Sequence, residues 1–416
     1  MKTIAEEILS MKSGRDARAG DVVVCDVDWV IGTDASAPMA IDYFEQMGGT
    51  SVFDPTRVVF ALDHYASGPA ADRFHGRVRD FAARTGAGVF GVGEGISHQI
   101  MIERGLVRPG QLVVGADSHT VTCGALNLFA TGVGSSELAA AMLTGQLWFR
   151  VPESIRVTLS GDRPVTVSAK DIALALVGEI GGEGANYQAV EFDGPALASL
   201  PLEDRLVVSN LAVEMGAKVA MFPFDARTSE YLDARKPPLQ TDAPVAPDTG
   251  ARYVREIRLD LATLSPRIAK PHQPDHVVPL ALAAGTPVHM VFVGTCTGGR
   301  VVDFHDALDA LDRGGGRIAP GVQLVLTPAS REIETRLRAD GTLGRFEALG
   351  AVVTTPGCGA CCGTSGVIPA DGMTVLSTAN RNFKARMGNP TASIYLASPA
   401  ACGMAAARGF IDEPNP

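Results

Sequence analysis

Blocks of lysine and arginine are missing from the 416-residue chain, and its 36 bases are outnumbered by 46 acids, for a formal net charge of −10. Nucleic-acid affinity rests on cations that neutralise phosphates, so no nucleic-acid partner is expected. Uninterrupted apolar runs of the ~18 residues that a spanning helix needs are also missing. The longest stretch, residues 277–294, is broken by Gly285, Pro287 and His289, and no membrane partner is expected. At the start of the chain, Thr3 followed by Glu6 reads as a helix capping box where a secretory signal would carry a charged head and an apolar core. The expected location is cytoplasmic. No repeat with a period of ~20–50 residues and no low-complexity tract is found, which excludes solenoids.

What is present describes a large folded globule. Hydrophobic residues make up 46 %, and the 46 glycines and 26 prolines are spread without period, which rules out collagen and disorder. At ~100–200 residues per domain the chain holds two to four domains. Short β-branched runs alternate with helical patterns, so the fold class is α/β, with parallel sheets covered on both faces. Strands are expected at 21–30, 57–62, 111–115, 289–294, 322–326, 351–354 and 373–376, and helices at 70–85 and 136–149, the latter capped by Ser135-Ser136-Glu137. Residues 236–250 are rich in Pro and Asp and read as a surface connection near a domain boundary, with another boundary near Val151-Pro152. The resulting division is 1–151, 152–265 and 266–416.

Polar residues follow the strands. In parallel sheets ligands bind at the carboxyl ends of strands, and there this sequence places Asp63-His64, Asp117-Ser118-His119, Cys296, Cys358 to Cys362, and Asn380-Arg381. Cysteines number seven, and an odd count in a reducing compartment favours ligands or buried thiols over disulfides. Cys358 and Cys361 have CxxC spacing among glycines 357, 359 and 363, which suits zinc, a redox dithiol or an iron–sulfur cluster. Gly-rich flanks disfavour the redox dithiol, and Cys296 offers a third thiolate. Cys25 and Cys402 read as buried apolar residues, and Cys362 as a packing residue. Three thiolates on a four-iron cluster leave one iron open as a Lewis acid.

Each Asp–His pair can fix a tautomer and raise the imidazole's pKa toward that of a general acid. A lone pair of this kind is more often a satisfied polar cluster; two pairs at strand ends, joined by the segment that carries His98, shift the balance toward catalysis. Arg300, Arg381 and Arg386 have the fork geometry for carboxylates, although singly each reads as a salt-bridging residue.

Taken in order, TIAEEIL, DHY, GISHQ, GADSHT, ATGVGSSELAAAM, GTCTGGR, PGCGACCG, LSTANRNFKARMG and YLASPA resemble the aconitase superfamily, in its branch of isopropylmalate dehydratase and homoaconitase large subunits, over essentially the whole chain. The resemblance implies three α/β/α domains around a 4Fe–4S cluster with one open iron, held by Cys296, Cys358 and Cys361. It implies reversible dehydration of a 2-hydroxy-dicarboxylate, first of all 3-isopropylmalate in leucine biosynthesis. Dimethylmalate, citraconate or 2-methylmalate, and homocitrate are alternative substrates; an RNA-binding or a zinc protein is the alternative from another class. By the same resemblance His64, oriented by Asp63, is the acid to the leaving hydroxyl. His98, Asp117 and His119 are further catalytic residues, Glu191 supports a site histidine, and Asn380, Arg381 and Arg386, with Arg300, bind near the cluster or hold substrate carboxylate. The family's proton-abstracting serine lies on a swivelling fourth domain. None is found in this sequence, so a small partner subunit is expected to supply it and the single chain to be inactive. Three departures stand out: CTGGR where CTNGR is common, CGTSG after Cys361 without the histidine of many relatives, and Pro369-Ala370-Asp371-Gly372 without their usual Gly-Glu.

Overall fold

The computed structural model describes residues 1–235 and 243–414. Its largest sheets are mostly or wholly parallel, as the alternating pattern predicts. A five-stranded parallel sheet runs in the order Gly88–Phe90, Val58–Ala61, Trp29–Thr33, Leu112–Gly115, Phe129–Gly132. Alternate residues of its strands feed two separate cores: Val30, Val58, Phe60 and Val114 pack on one side, and Ile31, Val59, Ala61 and Val113 on the other. Burial on both faces is why these runs are continuously apolar.

A second parallel sheet has four strands, Val219–Met221, Ala189–Asp193, Ser154–Ser160 and Arg255–Asp260. The third has seven. Its parallel part runs Ser393–Leu396, Thr374–Ser377, Met290–Gly294, Gln323–Thr327, Val352–Val353, and two antiparallel strands, Arg267–Ala269 and Val277–Pro279, extend it beyond Ser393–Leu396.

Strand order creates the crevices. In the first sheet the chain advances one way from Trp29–Thr33 and then resumes on its other side at Leu112–Gly115. In the third it does the same at Met290–Gly294 and Thr374–Ser377. Loops part at such switch points and leave room for a ligand.

The elements differ from expectation in two places. Residues 21–30 form two strands, Val22–Asp26 and Trp29–Thr33, because Asp28 breaks the run: its carboxylate accepts the Leu112 N–H at 2.7 Å and pairs with Lys12 at 2.6 Å. The helix expected at 136–149 spans Ser135–Thr144, and the chain continues as the strand Gln146–Arg150, antiparallel to Val22–Asp26. Its start is closed by Glu137, which accepts the Gly134 N–H at 2.8 Å, whereas the Ser135 hydroxyl donates to the Ser36 carbonyl. The expected connection at 236–250 lies partly outside the described residues. From 243 onward it is largely exposed, tied down at Val245, whose N–H donates to Asn127 at 2.7 Å. The Thr3–Glu6 capping box is present as read. No helix among the described residues is long and apolar enough to cross a membrane.

Candidate functional site

The loops at both switch points face one cleft of about 150 Å³, lined by His64, His98, Asp117, His119, Cys296, Cys358, Cys361, Cys362, Asn380, Arg381 and Arg386. Larger cavities of about 400 and 450 Å³ lie elsewhere, but neither is lined by a cysteine. The two sheets are stitched together around the cleft: the Cys358 N–H donates to the Asp63 carbonyl at 2.8 Å, and the Thr364 hydroxyl to the His64 carbonyl at 2.7 Å. Gly357 permits this approach, since a Cβ there would lie 2.8 Å from the Asp63 carbonyl oxygen.

His64 is held from behind. Its Nδ1 lies 2.8 Å from Asp63 Oδ1, and the other Asp63 oxygen accepts the Ser97 N–H. Below it, the buried Asp34 accepts the backbone N–H groups of His64 and Tyr65 and contacts His75 Nε2 at 3.0 Å. The free Nε2 of His64 points toward Asp117 Oδ2 at 3.8 Å and Cys358 Sγ at 3.8 Å. Burial opposes charge on this ring, yet the neighbouring Cys358 and Asp63 overcome it and raise the pKa well above the usual 6.5. Burial likewise works against an ionised Asp117, but His119, His98 and His64 hold its carboxyl well below the usual range. His98 is the opposite case. Burial pushes it down to about 3, and neither ring nitrogen finds a protein partner among the described residues.

Asn380 bridges the thiols: its Nδ2 donates to Cys296 Sγ at 3.3 Å, and its Oδ1 accepts from Cys361 Sγ at 3.5 Å. Arg386 approaches Cys361 Sγ at 3.6 Å. Cys296, Cys358 and Cys361 thus share one cleft, while the one set of three ligand atoms close enough for a single ion, among the described residues, is Asp63, His64 and Cys358. Three thiols spread around a cavity suit a polynuclear cluster better than one zinc ion. Burial drives the Cys296 thiol up to about 12 and Cys358 well above its ordinary value.

Three sequence expectations are corrected. Glu191 supports no histidine of the cleft: its carboxylate accepts the N–H groups of Ile4 and Ala5 and the hydroxyls of Ser154 and Tyr253, closing the start of the first helix. The glutamate on a cleft histidine is Glu214, whose Oε1 lies 3.1 Å from His119 Nε2 and accepts from Arg381 Nε at 2.7 Å. No strand-end motif points to it, since it lies inside the helical segment Ala212–Met215. The signal was a single acid in the apolar run LAVEMGAKVAMF. Arg300 does not line the cleft. Its buried guanidinium faces the two larger cavities, and its N–H donates to Asp303 at the start of the Val301–Arg313 helix. Cys362 is a half-buried cleft residue, 2.8 Å from the Thr364 hydroxyl, in place of a packing residue. Cys25 and Cys402 are fully buried, as read.

Parallel sheets whose strand ends close on thiols, imidazoles and carboxylates define an α/β protein with a cysteine-lined reaction cleft. The chain belongs to the aconitase family (aconitate hydratase), whose model matches residues 6–286 and 281–409. It is 43 % identical to 3-isopropylmalate dehydratase large subunit 1 of Methanopyrus kandleri, over 100 % of this chain and 99 % of that protein. Large subunit 2 of Archaeoglobus fulgidus is 44 % identical with the same coverage, and large subunit 1 of Thermotoga maritima 42 %. Among solved structures, Thermococcus kodakaraensis aconitase X (holo-form) shares the fold, with a TM-score of 0.53 at 11 % identity over 99 % of this chain and 92 % of that one.

Proposed function

We propose that this chain is the large subunit of a hydro-lyase that interconverts 3-isopropylmalate and 2-isopropylmalate through loss and return of water, a step of leucine biosynthesis. The observation that carries the reading is the meeting of three cysteines with an Asp-backed histidine and two arginines in one cleft. The substrate is supported by relatives of that name at 42–44 % identity along the whole chain. Cys296, Cys358 and Cys361 would hold a 4Fe–4S cluster, which when bound supplies a Lewis acid for the substrate hydroxyl and one carboxylate.

The rest of the work falls to side chains. Asp63 accepts the His64 Nδ1 proton and so aims Nε2 at the cleft, and the raised pKa favours a second proton on Nε2, available to the departing hydroxyl. Ionised Asp117 accepts the His119 backbone N–H at 2.6 Å and faces His64 Nε2 at 3.8 Å. Glu214 fixes both His119 and Arg381, leaving the remaining guanidinium nitrogens of Arg381, with Arg386, to receive a substrate carboxylate. We take residues 1–151, 152–265 and 266–416 as three domains, a division supported by the way each large sheet draws its strands from one of these spans. A small subunit completes the site, in keeping with the relatives' designation as large subunits.

The test is anaerobic reconstitution with iron and sulfide, co-expression with a candidate small subunit, and hydration of isopropylmaleate, citraconate, dimethylmaleate and homoaconitate followed by loss of alkene absorbance. Turnover of isopropylmaleate by the pair and none by the single chain is expected. Zinc without iron and sulfide in the anaerobically purified protein overturns the cluster reading, and preference for another alkene overturns the substrate.

A further inference from the structure

We propose that Lys170 is a positioning residue and the buried counter-charge of the cluster, holding the Cys296 turn and the Asn380 loop from behind. This rests on the cluster reading above. Lys170 belongs to the first turn of the Ala169–Ile180 helix, whose apolar residues share a core with the second sheet, and is 1 % exposed. Its Nζ donates to Thr297 Oγ1 at 3.2 Å, to the Thr378 carbonyl at 2.7 Å and to the Ala379 carbonyl at 2.6 Å. All three ammonium protons are thereby used. Thr297 follows Cys296, and Thr378 and Ala379 precede Asn380, the side chain that touches both Cys296 and Cys361. One ammonium therefore sets the spacing of the two loops that carry a thiol and its hydrogen-bonding amide.

The charge itself is in an adverse place. Every partner is neutral, no carboxylate forms an ion pair with Nζ among the described residues, and the position lies at the positive end of a helix. A buried cation without an anion is strongly disfavoured. Desolvation accordingly lowers its pKa to about 8, and the groups that act against that loss are first of all Cys296, Cys402 and Cys361, with Asp303 behind them. A cluster carried by three thiolates is net negative, so loading it gives the ammonium its missing anion.

A structural pin alone and a counter-charge part company in experiment. Lys170→Met keeps the length of the side chain and removes the charge; Lys170→Arg keeps the charge. For Lys170→Met we expect a cluster-free chain at least as heat-stable as wild type, loss of iron to a chelator at least tenfold faster, and a reduction equilibrium shifted at least tenfold toward the oxidised cluster, ~59 mV for one electron. Lys170→Arg should keep the reduction equilibrium within threefold of wild type. A Met variant with unchanged potential and iron-loss rate overturns the proposal, as does one that cannot fold without iron. If wild type itself loads no iron and sulfide, the cluster reading has failed, and this inference falls for that separate reason.

Discussion

His119 and Glu214 stand 95 positions apart in sequence, yet the ring Nε2 and the carboxylate Oε1 meet at 3.1 Å. The same oxygen receives Arg381, so one acid aligns an imidazole from the first sheet and a guanidinium from the third. Glu214→Gln keeps the shape and loses the carboxylate that holds both the imidazole and the guanidinium. Its turnover should fall by on the order of 10², chiefly in kcat for the His119 share and in KM for the Arg381 share. Steady-state kinetics of the reconstituted pair checks this, and wild-type values would remove Glu214 from the site.

Cysteine substitution separates ligands from bystanders. Cys296→Ser, Cys358→Ser and Cys361→Ser should each fail to retain a full complement of iron and sulfide, whereas Cys362→Ser and Cys402→Ser should retain it. Elemental analysis after anaerobic loading reads the outcome directly. Loss of the cluster in Cys362→Ser alone would move the ligand assignment by one residue.

Acid should destabilise the cluster-free chain through His98. Its folded pKa of about 3 lies below the unfolded value of ~6.5, so between the two the unfolded chain binds the extra proton. The stability associated with the neutral ring is complete above pH ~6.5 and is lost progressively as the pH falls toward 3, by up to ~1.4 kcal/mol per pH unit. Urea unfolding of wild type and His98→Gln from pH 7 to pH 4 should show a shallower acid slope in the variant. Identical slopes would mean that the ring is protonated in place.

Gly298 is dictated by a neighbour. A Cβ at this position would lie 2.2 Å from both the Cβ and the Oγ1 of Thr378, whose hydroxyl accepts the Gly294 N–H at 2.9 Å. Gly298→Ala should therefore cost ~1–3 kcal/mol by overpacking. Adding Thr378→Gly should return part of it, a coupling that a double-mutant cycle in thermal or urea unfolding measures. Strict additivity would show that the two positions do not touch. The departure from CTNGR is thus a packing matter in this chain, since an asparagine has no room beside Thr378.

Much of the fold could be read from local pattern. Continuous β-branched runs announced strands buried on both faces, and strand-end motifs named His64, His98, Asp117, His119, Cys296, Cys358, Cys361, Asn380, Arg381 and Arg386, all of which line the cleft. The failures have different causes. Asp28 interrupts its segment through a contact that no window of sequence contains, the helix ends at Thr144 because the next residue, Gly145, takes the left-handed conformation of a helix cap, and Glu191 and Glu214 are both single acids in apolar surroundings. Which one reaches a histidine depends on how the second sheet packs.

By itself the sequence determined the α/β class, the chemistry available at the strand ends and the thiol set, because periodicity, turn residues and ligand spacing are local properties. Only the tertiary structure decided that Glu214 serves His119, that Arg300 turns away from the cleft, that Thr378 forbids a side chain at Gly298, and that Lys170 is buried behind Cys296 with no ion-pair partner among the described residues. Each of these is a contact between sheets formed from distant parts of the chain, and such contacts exist only once the loops at both switch points have been brought face to face.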